Sequence, residues 1–304
     1  NFAKVHLVPP RKGLQLADGL FVDMIEADPT NEMASLIDSS IVIRWGDHVV
    51  FNANDCQPHE DGLRYLQATY PRIDLALLPY SGGSGYPSCY VNLTDAEKAA
   101  ERERILKQRI AGFVANVKRI EPAFVMAFAD QYVVGGSRAH LNRYVSHGAA
   151  PDVVRPQMAE AGLQDRLLLL NSGQSFDLAS RRFTPGEPYR THTENDRDHY
   201  IEKSLKGQTY DHERVNFGPS IAIDRLVGHA RDRLWGVQER RQLFPTQRLV
   251  LDFTDSRRRF EIDLTRAGFK EIAATSPIEE PFLRLAGSDT LMVMLLIGHI
   301  SWNI

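Results

Sequence analysis

The sequence predicts an α/β protein that ends in a small α+β unit, and three observations carry that prediction. Residues 41–51 are apolar and β-branched and are broken by Gly46-Asp47, a two-residue turn signal, so they read as a β-hairpin. Thr94 is followed three residues later by Glu97, a capping box, and Leu106, Ile110, Phe113 and Val117 then fall on one helical face. Beyond Leu243 the pattern changes to a hairpin (248–254 and 260–264), a short strand (282–285) and a helix that Ser288 caps and Gly298 stops.

In chain order, residues 5–8 and 20–25 are short strand pieces separated by Pro9-Pro10 and bounded by turn residues from Asp28 to Asn31. The second arm of the core hairpin, 49–54, delivers Asp55 at a strand end. Pro58 fits a first helical turn, and Leu63 with Leu66 makes a short one-sided helix. A second apolar run, 73–79, stops at Ser81, Gly82, Gly83, Ser84 and Gly85, a loop by composition. After the capped helix, whose charged run 101–104 reads as its solvated face, residues 123–129 form a buried strand ending at Asp130-Gln131. A further apolar run, 166–170, leads into Asn171-Ser172-Gly173-Gln174. Residues 181–220 are dense in charge, Pro and Gly and read as a long irregular connection. The boundary between the two parts is expected around 236–246, giving a domain over 1–240 and another over 246–304.

Composition narrows the function. The chain has 304 residues, enough for one large domain or two ordinary ones. Its 36 Lys and Arg against 39 Asp and Glu give no argument for nucleic acid or an acidic membrane surface. Two cysteines, Cys56 and Cys89, suit a reducing, cytoplasmic compartment rather than a disulfide-built fold. No run approaches the roughly 20 apolar residues of a membrane span. Both ends look cut, so the sequence is expected to be part of a longer protein, and a homo-oligomer is compatible with it.

The chemistry centres on the rim that adjacent strand ends would share. Asp55 fits a turn or helix cap, the more common role of a lone Asp, and less commonly a metal-ligating carboxylate on a strand end. The 81–85 loop could be a plain turn, or its N–H groups could form a concave anion site, although it matches neither the phosphate-loop nor the dinucleotide fingerprint. His59 reads as an exposed residue at a helix start. His140 and His147, like His192 and His199, stand seven apart, too far for one metal, and no HxxxH or CxxC pair occurs. There is no G-x-S-x-G elbow.

Four blocks in order, FNANDC, IDLALLPYSGGSGYP, EPAFVMAFADQYV and NSGQSFDL, resemble the second half of the metallo-β-lactamase fold, and within it the CMP-N-acetylneuraminic acid hydroxylase branch. The similarity covers roughly residues 16–180. It implies an incomplete αββα sandwich in which Asp55 is a ligand of the active-site metal, zinc or iron. The HxHxDH block of that family's first half is absent from this chain. Where typical members carry a last histidine ligand, this chain has Ala127-Phe128-Ala129; the hydroxylase branch has Phe-Ala there, and Asp130 is the alternative ligand. The Cys and His ligands of an iron–sulfur cluster are not visible. The 246–304 tail resembles a sterol-carrier-like domain.

The expected activity is a metal-dependent hydroxylase or monooxygenase acting on a small anionic substrate such as a sugar nucleotide. Asp55 would hold metal, residues 81–85 would bind the anion, and Tyr86 and Asp130 would line the pocket. Two alternatives stay open: a metallo-hydrolase of a phosphodiester, lactone or amide, and a binding or scaffolding protein that has lost the metal.

Overall fold

The computed structural model describes residues 7–28, 30, 39–56, 58–81, 83–128, 132–146, 148, 151–215, 217 and 221–300. The chain is mixed α/β and divides into two compact units, 1–208 and 209–304.

In the first unit β1 (Leu14–Ala17), β2 (Leu20–Ile25), β3 (Ser40–Trp45), β4 (His48–Asn52), β5 (Leu75–Pro79) and β6 (Phe124–Phe128) lie side by side in sequence order. The first four pair antiparallel. β4, β5 and β6 run parallel, joined through α1 (Glu60–Thr69) and α2 (Asp95–Ile120). The expected hairpin is present, with Trp45 opposite His48 across Gly46-Asp47 and Gly46 at φ +57°.

The register aligns side chains in rows across the sheet. Asp23, Val42, Phe51, Ala76 and Val125 form one row, and all five are buried. Helices seal that face: Leu63 and Leu66 of α1 and Ile110, Phe113 and Val117 of α2 share its core. Burial of each such side chain stabilises by roughly 1.5–3 kcal/mol. The next row, on the opposite face, is Val22, Ile43, Val50, Leu75 and Phe124, and each of these is half-buried. Phe124 meets Phe176 edge-on, ring centroids 4.9 Å apart, in the small pair β7 (Phe176–Asp177) and β8 (Arg182–Phe183).

Local signals explain the helices. At α2 both halves of the capping box form: Glu97 N donates to Thr94 Oγ1 at 3.3 Å and Thr94 N to Glu97 Oε2 at 2.7 Å. α1 starts at Glu60, after Pro58. His59 is its cap rather than an exposed residue, accepting from Gly62 N on Nδ1 at 3.3 Å while its Nε2 sits 3.1 Å from Glu26 O. α3 (Arg155–Glu160) follows, with Pro156 in its first turn. The expected irregular connection over 181–220 holds regular pieces instead. α4 (Glu194–Tyr200) starts from a Thr193–Asp196 capping box and continues as a π-helical turn, and α5 (Asp211–Arg214) begins the second unit.

The second unit starts before the expected boundary. Ile223 and Val227 of α6 (Ile223–Arg241) pack with Leu251, Phe260 and Val293, so the helix belongs with the sheet that follows it. That sheet comprises β9 (Arg248–Phe253), β10 (Arg258–Asp263), β11 (Lys270–Ile272) and β12 (Phe282–Gly287) in the order β11-β10-β9-β12, and α7 (Asp289–Leu296) follows it. Ser288 caps α7 by accepting from Leu291 N at 3.3 Å, as its sequence signal predicts. Leu251, Phe253, Phe260 and Ile262 alternate into the core. The opposite side carries a ladder of paired charges: Arg259 grips Asp252 at 2.5 and 2.9 Å, and Arg248 reaches Glu261 at 2.8 Å. Among the described residues no helix is long and apolar enough to cross a membrane.

Candidate functional site

Three neighbouring parallel strands end at one rim of the first unit. β4 leaves the sheet through a tight turn in which Ala53 N donates to Leu77 O at 3.0 Å, Asn54 N to the side chain of Asn52 at 2.8 Å and Cys56 N to Ala53 O at 2.9 Å. Asn54 adopts φ +51°, a left-handed conformation that Asn tolerates better than most residues. The turn leaves Asp55 exposed at its tip, next to a buried Cys56.

β5 runs into buried Tyr80 and Ser81 and then into exposed Gly83, Ser84 and Gly85; Gly82 lies outside the described residues. The N–H groups of Gly83, Ser84 and Gly85 find no acceptor among the described residues, whereas Tyr86 N donates to Ser84 Oγ at 3.2 Å. The chain then closes into a turn, with Cys89 N and Ser88 Oγ both donating to Gly85 O, at 2.8 and 3.1 Å.

Tyr86 was expected to line the pocket. Its hydroxyl instead donates to Glu101 of α2 at 2.8 Å, and its ring meets Tyr90 edge-on at 4.8 Å. Glu101 also receives Arg104, at 2.8 Å, and these two bonds hold its carboxyl down to about 2, Arg104 being the larger cause. The bond to Glu101 in turn pushes the Tyr86 phenol up. Tyr86 thus anchors the loop to α2.

Tyr132, beyond the end of β6, is the residue that sequence reasoning missed. Its hydroxyl donates to Ser84 O at 2.6 Å, and burial pushes its phenol above the ordinary range. Nothing local announces this contact, which joins residues 48 positions apart. Asp130 lies outside the described residues, as does His147. Ala127 is packed into the helix-side core. Among the described residues no group of three or more His, Cys, Asp or Glu side chains is gathered to hold a metal. The described donors, Asp55 chief among them, therefore do not make up a metal site.

No protein-family model matches the chain, and no curated protein matches it in sequence. Among solved structures, a mutant of the CmlA beta-hydroxylase is similar at 15% identity over 56% of this chain and 33% of that one, with a TM-score of 0.34. CmlA, a diiron beta-hydroxylase from Streptomyces venezuelae, is similar at 14% identity over 53% of this chain and 32% of that one, with a TM-score of 0.33. The chain spans about a third of the length of these structures.

Proposed function

We propose that residues 1–208 are part of a metal-dependent enzyme of the metallo-β-lactamase type, hydroxylase-like, that acts on a small anionic substrate such as a sugar nucleotide. The observation that carries this reading is the shared rim. One strand exit exposes the Asp55 carboxylate, the next opens the N–H groups of Gly83, Ser84 and Gly85, and Tyr132 closes onto that loop from the third. Open backbone N–H groups at strand ends favour an anion. The order of the sequence blocks and the one sealed, one half-open face of the sheet support the sandwich reading. Asp55 would be one metal ligand, with iron or zinc supplying the reactive centre, and further donors are needed beside it.

A binding or scaffolding role without metal is the second reading, favoured by the lack of a histidine at 127–129. The C-terminal unit fits a structural or dimerising appendage better than a lipid carrier, since its helix side is filled core and its other side a ladder of paired charges.

Calorimetry with inorganic phosphate and with CMP tests the anion site. The enzyme reading predicts binding that Gly83→Pro weakens, because proline removes one loop N–H. Equal binding by the variant, or no binding of either probe, contradicts it.

A further inference from the structure

β6 and the segment 167–171 start as parallel neighbours and then part. They are bridged at Val125 and Leu167, and Leu168 N donates to Val125 O at 2.9 Å. Along a strand the N–H and C=O of one residue point to the same side, and the side alternates with each residue. Phe124 N donates to Asp74 O at 3.0 Å, on the β5 side. Met126 and Phe128 therefore also turn their backbone groups to β5, while Val125 and Ala127 turn theirs toward 167–171. Val125 meets Leu168 there. Ala127 does not: among the described residues no backbone bond joins it to Leu168 or Leu170, although Ala127 and Leu168 are only 7% and 5% exposed.

Where the two segments part, a cleft of about 670 Å³ opens, within the range of small-molecule pockets. Met126, Leu169 and Pro151 give it apolar walls, and Tyr189 and His192 stand among its polar lining. The outer wall is tied down by the NSGQ block. Asn171 Nδ2 donates to Glu187 O at 3.2 Å and Pro188 O at 3.0 Å, and Arg190 N donates to Asn171 Oδ1 at 3.1 Å. Gln174 Nε2 adds a bond to Glu187 O at 2.7 Å. The side chains of Asn171 and Gln174 are thereby engaged in building the cleft, and the strand edges inside it are left to meet a ligand.

We propose that this cleft binds a small amide ligand, an acylated amino acid or short peptide-like molecule. Its apolar body would lie against Met126 and Leu169, and its amide N–H and C=O would complete the interrupted ladder between Ala127 and 168–170. A strand edge recognises an amide by main-chain hydrogen bonds, so a ligand amide can take the places of the water that otherwise meets these groups.

The test is a titration of the full chain with N-acetyl-leucine N-methylamide, followed by ¹H–¹⁵N spectra. A depsipeptide analogue with ester oxygens in place of the amide N–H groups serves as the comparison. The proposal predicts shifts at the amides of Ala127 and Leu170 and binding of the ester weaker by about fivefold, the size of one ordinary hydrogen bond. It also predicts loss of binding in Ser172→Trp, an exposed residue of the cleft lining whose replacement fills the space while the rest of the spectrum is unchanged. Equal binding of amide and ester, shifts confined to residues 83–90, or undiminished binding by Ser172→Trp would each overturn it.

Discussion

The hydroxyl of Tyr132 donates to the carbonyl oxygen of Ser84 at 2.6 Å, tying the chain beyond β6 to the loop beyond β5. The bond fixes Ser84 in a loop that Tyr86, two residues further on, fastens to α2. Tyr132→Phe removes it with little change of shape. The expected outcome is a loss of about 1 kcal/mol and faster amide exchange over residues 84–89, with the sheet's own exchange rates unchanged. Unaltered loop exchange would show that the bond does not restrain the loop.

Acid should release the same loop from its other side. Glu101 has its carboxyl held down to about 2 from an ordinary 4.5 by Arg104 and then Tyr86. A carboxyl with a depressed folded value stabilises the fold above its unfolded value, and that stabilisation is lost as pH falls through the folded value. The contribution is therefore complete above about pH 4.5 and declines toward pH 2. NMR titration of the Glu101 carboxyl, with Glu101→Gln as reference, checks this; titration at the ordinary carboxylate value would refute the bonded geometry.

In the second unit Arg231 is 1% exposed, and its guanidinium donates to Gly268 O at 3.1 Å, Asp263 O at 3.2 Å, Arg266 O and Gln238 Oε1 at 2.7 Å. Arg231→Met keeps much of the apolar stem and strands those acceptors. Denaturant melting should show a loss of about 3 kcal/mol. A loss under about 1 kcal/mol would mean that water replaces the guanidinium freely.

These particulars show which parts of the fold could be seen in the sequence. α2 and the Gly46-Asp47 hairpin rest on contiguous signals, a capping box with an apolar stripe and a turn dipeptide, and both form where expected. α6 was hidden because two of its four buried positions are Arg231 and Gln238, polar residues satisfied by the distant 263–268 turn, so no apolar stripe marks it. α4 has a capping box with Asp196 in place of Glu and, among its residues, none that is buried. At the rim, the strand-end position of Asp55 was legible. The engagement of Tyr86 with Glu101 and the reach of Tyr132 to Ser84 are tertiary contacts that no local pattern encodes.

The central claim is that Asp55 is a metal ligand at this rim, and metal content tests it most directly. Full-length protein produced with iron and with zinc should retain bound metal through gel filtration. Asp55→Asn should lose most of it while melting at the same temperature as the parent, since the exposed Asp55 supports no packing. Equal metal in parent and variant, or none in either, would contradict the account.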